Sequence, residues 1–142
     1  MGYLLDTNIF NRVLDGRMDL RSLPVSQRLY ATPVQYAELA QCPDLRRREE
    51  LLEVFQRIAP EIEPVSFSLD VEGAGLDQGV FRDEYVSPAI LIGLNALRNR
   101  ANNLQDALIA EVALLGDHTL VTADRNLVLV AKDHGISVHA ID

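Results

Sequence analysis

Four acidic residues lie where the chain is expected to pass from strand to helix, or on the first turns of helices. They are Asp6, Glu38, Asp106 and Asp124. Asp6 follows an apolar run and Asp124 follows another, which places each at the carboxyl end of a strand, the edge where open α/β sheets bind ligands. Acids gathered there repel one another unless a hard divalent cation such as Mg²⁺ or Mn²⁺ neutralises them. The pattern indicates a metal site in which the cation supplies the chemistry.

Each acid also has an ordinary structural explanation. Asp6 and Asp124 are suitable helix N-caps, and Asp106 could complete a capping box with Asn103. Glu38 could be an exposed helical acid. Taken together these explanations are weaker, because all four residues would approach the same edge of one sheet.

The elements that must position these acids follow from hydrophobic periodicity and capping signals. Thr32, Pro33 and Gln35 form a helix start, and the helix that follows carries Glu38 on its second turn. Asn103 is expected to cap the helix that carries Asp106. Predicted strands cover residues 3–5, 29–31, 65–67, 120–123 and 136–140, and predicted helices cover residues 6–14, 33–42, 45–59, 87–98, 104–115 and 125–134.

Strands that alternate with helices predict an α/β fold, a three-layer α/β/α sandwich with a mainly parallel central sheet. Residues 68–86 contain three glycines and keep no clear period, so they receive no assignment. At 142 residues and 48% hydrophobic content, residues 1–142 are expected to form one domain.

Composition limits the cellular setting and the partners. The single cysteine, Cys42, cannot form an intramolecular disulfide, and the sequence has no signal-like or membrane-spanning segment, so a soluble protein of the reducing cytoplasm is expected. The formal net charge of −8 argues against a general electrostatic grip on nucleic acid. The charge does not exclude a phosphate substrate. Acids that bind a metal ion add to the negative charge of the sequence, but the bound ion neutralises them.

Four short segments, in order, resemble the motifs of the PIN domain nucleases. They are residues 5–9 (LDTNI), 37–39 (AEL), 106–110 (DALIA) and 120–125 (LVTADR). The resemblance spans nearly the whole chain, and the length is that of a stand-alone PIN protein such as the VapC-type toxins of toxin–antitoxin pairs. Many members carry a further acid two residues after the fourth, where this chain has Asn126.

The resemblance implies a metal-dependent endoribonuclease with a PIN-like fold. Asp6, Glu38, Asp106 and Asp124 would be the catalytic residues and would hold one or two Mg²⁺ or Mn²⁺ ions, which activate water to leave a 5′-phosphate and a 3′-hydroxyl on the RNA. Residues that could orient the carboxylates are Thr7, Asn8, Thr122 and Asn126. The expected partners are an RNA substrate, a cognate antitoxin and a second copy of the chain, with no membrane.

Positive clusters are the candidate RNA contacts. They comprise Arg46, Arg47, Arg48, Arg98 and Arg100. Such a run is more often a solvated helix face, and acids follow the first three at salt-bridge spacing. The apolar run 89–97 is expected to be core, although a dimer or antitoxin contact would expose a similar patch.

Two other functions compete with the nuclease. A catalytically silent PIN-like module would bind RNA or protein without cutting, and the complete set of four acids argues against it. A receiver-like or phosphatase-like domain would need a lysine at the end of a later strand, but Lys132, the only lysine, falls on a predicted helix.

Overall fold

The structure, a computed structural model, describes residues 2–23, 28–58, 60–64, 87–98 and 100–141. Its strands are β1 (Tyr3–Leu5), β2 (Leu29–Ala31), β3 (Glu61–Ile62), β4 (Thr119–Thr122) and β5 (Val138–Ala140). Its α-helices are α1 (Thr7–Leu14), α2 (Pro33–Ala40), α3 (Leu45–Ile58), α4 (Ser87–Leu97), α5 (Asn103–Leu115) and α6 (Arg125–Asp133). A short 3₁₀ turn covers Leu20–Ser22.

The five described strands form one parallel sheet in the order β3-β2-β1-β4-β5. β1 lies in the centre, between β2 and β4, with Leu5 opposite Val121. The chain first builds outward from β1 to β2 and β3, and it later resumes on the other side of β1 with β4 and β5. The order therefore reverses between β1 and β4, and ligands of open α/β sheets bind outside the carboxyl ends of strands at such a reversal.

Apolar side chains cover both faces of the sheet. Leu4 on β1 packs into a cluster with α4, α5 and α6, whereas its neighbours Tyr3 and Leu5 face a second cluster with α1 and α3. Successive strand residues point to opposite faces, so β1 contributes to both clusters. The predicted three-layer α/β/α sandwich is confirmed.

Local capping chemistry explains most helix starts. Thr32 and Gln35 form the predicted capping box at α2, and the Asp124 carboxylate accepts hydrogen bonds from the backbone N–H groups of Asn126 and Leu127 at α6. Asp44 likewise accepts from the backbone at the start of α3. These side chains satisfy N–H groups that have no partner inside the helix.

Two sequence-based assignments differ from the structure. Asn102, not Asn103, is the N-cap of α5, because the Asn103 side chain donates instead to Asn95 Oδ1 at 2.8 Å and to the Arg98 carbonyl at 2.7 Å. The sequence analysis also missed β3, whose two side chains are both exposed and therefore give no apolar signal. The strand predicted at residues 65–67 lies outside the described residues.

The apolar run 89–97 divides between core and surface. Ile90 and Leu94 are fully buried against α5 and α6, whereas Ile92 and Leu97 are exposed. Among the described helices, none is long and apolar enough to cross a membrane.

Candidate functional site

The four acids line one cleft at the carboxyl edge of β1 and β4. Asp6 directly follows β1, and Asp124 lies two residues after β4, where each caps the next helix. Glu38 projects from α2 and Asp106 from the first turn of α5. The cleft has a volume of about 250 Å³, and its lining comprises Asp6, Thr7, Asn8, Asn11, Glu38, Arg100, Asn102, Asp106 and Asp124.

Neighbouring polar groups hold Asp6 in a single orientation. Its Oδ2 accepts hydrogen bonds from Thr122 Oγ1 at 2.6 Å and from Asn8 Nδ2 at 3.0 Å, and its Oδ1 accepts from the Thr7 backbone N–H at 2.8 Å. The carbonyl of the preceding residue, Leu5, accepts from Gln35 Nε2 at 2.8 Å. Asp6 is therefore fixed from both β4 and α2.

Thr7 and Asn8 connect Asp6 to the other acids. Thr7 Oγ1 donates to Glu38 Oε1 at 2.7 Å. Asn8 Oδ1 accepts from the backbone N–H of Ala123 at 3.1 Å, which ties α1 to the loop before Asp124. Three of the residues predicted to orient the carboxylates, Thr7, Asn8 and Thr122, thus contact them directly. The fourth, Asn126, contributes its backbone N–H to Asp124.

Burial and mutual repulsion disfavour the charged form of these acids. Desolvation, followed by the charge of Asp6, raises the pKa of Glu38 to about 7, although the Thr7 hydrogen bond opposes that rise. Desolvation raises the pKa of Asp106 to about 9, and the charges of Asp6, Glu38 and Asp124 add to the effect. The pKa of Asp6 is also raised, mainly by burial.

These pKa values predict how the stability of the metal-free protein depends on pH. Between about pH 4.5 and pH 9 the folded protein holds more protons on Glu38 and Asp106 than the unfolded chain does. Stability therefore falls as pH rises through this window. We expect denaturant unfolding in EDTA at pH 5, 7 and 9 to show a decline that is flatter in a Glu38→Gln/Asp106→Asn protein. If the stability of wild type declines with pH no more steeply than that of the double variant, the two acids do not cause the decline.

Arg100 contributes a positive charge to the cleft. Its Nη2 lies 2.6 Å from Asp124 Oδ2 and 3.5 Å from Asp106 Oδ2. The side chains of both acids are largely buried, at 16% and 6% exposure. Of the arginines predicted to bind RNA, Arg100 is the one that lies in the cleft lining.

The other predicted RNA contacts lie outside that lining. Arg47 pairs with Asp15 at 3.0 Å and donates to Asn11 Oδ1 at 3.0 Å, so its guanidinium joins α3 to α1. Arg48 Nε donates to the Cys42 carbonyl, while Arg46 and Arg98 are exposed. Through Asn11, Arg47 indirectly supports one wall of the cleft.

The donor atoms of the cleft fit a hard divalent cation in type. Carboxylate oxygens are the ligands that Mg²⁺ and Mn²⁺ prefer, and the buried Asp106 Oδ2 accepts no hydrogen bond from the described residues. Within the described part of the chain, no three acidic, histidine or cysteine side chains converge on one ion position as they stand.

Sequence reasoning did not identify Asn11 and Asn102 as cleft residues. Asn11 lies one helical turn after Thr7 on α1. Residues four positions apart share a helix face, so the position of Thr7 could have identified Asn11. Asn102 lies in the connection before α5, where a polar loop residue gives no comparable signal.

Comparison with known proteins supports the fold. No family model and no curated protein matches the chain. Among solved structures, the chain is similar to a domain of a functionally unknown protein from Methanocaldococcus jannaschii, with 16% identity, a TM-score of 0.58, and coverage of 99% of this chain and 91% of the other. It is also similar to FitAcB from Neisseria gonorrhoeae, with 19% identity, a TM-score of 0.56, and coverage of 96% and 95%. These similarities support the parallel α/β fold described above.

Proposed function

We propose that the protein is a metal-dependent endoribonuclease that hydrolyses RNA phosphodiesters. One observation carries the proposal: four acids from four separate segments line one cleft at the reversal of the sheet order. Keeping desolvated acids together costs folding free energy, as the raised pKa values of Glu38 and Asp106 show. Such groupings are characteristic of functional sites.

The residues of the chain would divide the work as follows. Asp6, Glu38, Asp106 and Asp124 hold one or two Mg²⁺ or Mn²⁺ ions, and Thr7, Asn8 and Thr122 fix two of these carboxylates through hydrogen bonds. When bound, the cation activates water for attack and stabilises charge on the phosphate. The amide groups of Asn11 and Asn102 can donate hydrogen bonds to phosphate oxygens at the cleft wall.

RNA outside the cleft would be held by exposed positive side chains. Arg46 and Arg98 are the exposed members of the predicted clusters. Arg47 and Arg48 already have protein partners, so RNA would have to compete with those contacts. We therefore propose Arg46 and Arg98 as the main phosphate contacts of the flanking RNA.

The biological setting that we propose is the toxin of a cytoplasmic toxin–antitoxin pair. The PIN-like fold, shared with FitAcB, supports it. Exposed apolar side chains on α4 and α6, Ile92 and Leu129, offer surface for an antitoxin or for a second copy of the chain.

A silent RNA-binding module is the second candidate, and two observations favour it. Arg100 already neutralises Asp124, and no three candidate ligands of the described chain converge on one ion position. In that case the protein itself would offset part of the charge of the cleft, and the module would bind RNA without cutting it.

Cleavage of a mixed RNA pool distinguishes the two candidates. Purified protein is incubated with Mn²⁺, with Mg²⁺ or with EDTA, beside Asp6→Asn and a control, Asp117→Asn. Asp117 is exposed at the opposite end of β4 and has a positive φ of 55°, which asparagine adopts readily, so the control removes one charge without disturbing the cleft. We expect cutting by wild type and control, only with metal, and none by Asp6→Asn. RNA binding without cleavage under every condition would favour the silent module.

A further inference from the structure

Arg100 lines the cleft together with the four acids, so a positive charge lies among the carboxylates proposed to bind the metal ion. It lies in the connection between α4 and α5, and its Nη2 reaches the cleft to contact Asp124 Oδ2 at 2.6 Å. The same nitrogen is 3.5 Å from Asp106 Oδ2, beyond a good hydrogen bond. One guanidinium thus stands against two of the four carboxylates of the cleft.

The pairing leaves polar atoms unsatisfied on both sides. Arg100 Nε and Asp106 Oδ2 are both buried, and neither has a hydrogen-bond partner among the described residues. A structural arginine usually forms paired, fork-like bonds to its carboxylate. The Arg47–Asp15 pair shows that arrangement in this same protein, with Nη1 and Nη2 on the two carboxylate oxygens. Arg100 therefore has the geometry of a displaceable counterion.

The location of Arg100 allows it to leave. Its side chain is 30% exposed, so the guanidinium can move from the cleft into solvent without crossing the core. The two acids are much less exposed and are carried by the helix termini of α5 and α6, so they stay in place. A mobile cation beside fixed anions is the arrangement that an exchange of cations needs.

We propose that Arg100 is a resident cation that competes with the divalent ion for Asp124 and Asp106, and that metal binding releases its guanidinium. The inference rests on the proposed function, since it assumes that these acids hold the metal. In the metal-free protein Arg100 offsets part of the repulsion among the acids. Once released, it lies at the rim of the cleft, where a phosphate of the substrate could bind it.

Calorimetric titration with Mn²⁺ tests this competition. Wild type is compared with Arg100→Gln and with Lys132→Gln, which removes one positive charge from an exposed side chain in the last turn of α6. We expect Arg100→Gln to bind Mn²⁺ about tenfold or more tightly than wild type, because a hydrogen bond to a charged group contributes at least that factor to an equilibrium. The Kd of Lys132→Gln should stay within about threefold of wild type, since exposed charges are screened.

The titration separates failure of the Arg100 competition from failure of the proposed function. Unchanged or weaker Mn²⁺ binding by Arg100→Gln, with wild type still binding metal and cutting RNA, overturns the competition and leaves the proposed function standing. Absence of Mn²⁺ binding and cleavage in all three proteins overturns both.

A second measurement on the wild-type protein covers the case in which Arg100→Gln does not fold. The Nε–H proton of Arg100 is buried, so its NMR signal should exchange slowly with water in EDTA. Saturating Mg²⁺ should speed that exchange by about tenfold or more if the guanidinium leaves the cleft. An exchange rate that Mg²⁺ does not change would contradict release.

Discussion

Replacing Asp106 by asparagine is expected to reduce metal-dependent RNA cleavage by more than about hundredfold while leaving the metal-free protein folded. Groups that only orient a metal ligand commonly contribute ten- to hundredfold, so loss of a ligand should exceed that range. Asparagine has nearly the size of aspartate and resembles its protonated form. With a pKa of about 9, Asp106 is already largely protonated at pH 7 in the metal-free protein.

The same reasoning predicts how stability changes in Asp106→Asn. Below about pH 4 its free energy of unfolding in EDTA should lie within about 0.5 kcal/mol of wild type, because Asp106 is then protonated in the folded protein and mostly protonated in the unfolded chain. As pH rises from about 4 to about 9 the variant should become the more stable protein, because folded wild type must hold a proton on Asp106 that the unfolded chain releases. Cleavage rates with Mn²⁺ and thermal unfolding in EDTA measure the two effects, with Asp117→Asn as the matched control. Activity within threefold of wild type would remove Asp106 from the site.

Divalent cation is expected to stabilise the wild-type protein strongly, and Asp6→Asn hardly at all. A ligand that binds only the folded state adds about 3 kcal/mol when it is present at a hundredfold excess over its Kd. For a chain of this size that corresponds to several degrees in Tm. The effect should be larger at pH 8 than at pH 6, because the cation must displace protons from Glu38 and Asp106.

Thermal unfolding with Mn²⁺, with Mg²⁺ and after addition of EDTA measures this stabilisation. Asp6 is the most firmly oriented acid of the cleft, so its replacement should remove most of the shift. Asp117→Asn should keep the wild-type shift. An equal shift in Asp6→Asn would place the stabilising cation elsewhere on the protein.

Much of the fold can be predicted from local sequence signals. The capping box of Thr32 and Gln35 and the cap by Asp124 begin helices where the sequence places them, because both depend on residues only two or three positions apart. The central strand β1 is a continuous apolar run, as expected for a strand buried on both faces. Such signals are short-range and survive in the folded protein.

The errors occur where a partner distant in sequence competes with the local signal. Asn103 is a good N-cap by type, yet its side chain donates to Asn95 and to the Arg98 carbonyl, and Asn102 is the N-cap of α5. The strand β3 is missed because it pairs with β2 through backbone groups while Glu61 and Ile62 both remain exposed. A side-chain pattern carries no information about such pairing.

The candidate site also has features that the sequence predicts and features that it does not. The approach of Asp6 and Asp124 follows from parallel strands ending at one edge, and the structure places both in one cleft. The contact of Arg100 with Asp124 could not be predicted, because the orientation of a loop arginine depends on the packing of α4 against α5. The same holds for Arg47, which the sequence places in an exposed basic run and the structure pairs with Asp15.

The most direct test of the central claim is the chemistry of the cut ends. A defined RNA is digested by wild type with Mn²⁺, and the products are analysed by mass spectrometry beside digests in EDTA and by Asp6→Asn. Hydrolysis by water at a metal site predicts 5′-phosphate and 3′-hydroxyl ends, formed only by wild type and only with metal. Cyclic 2′,3′-phosphate ends, or the same products in EDTA, would show that the four carboxylates do not perform the reaction proposed for them.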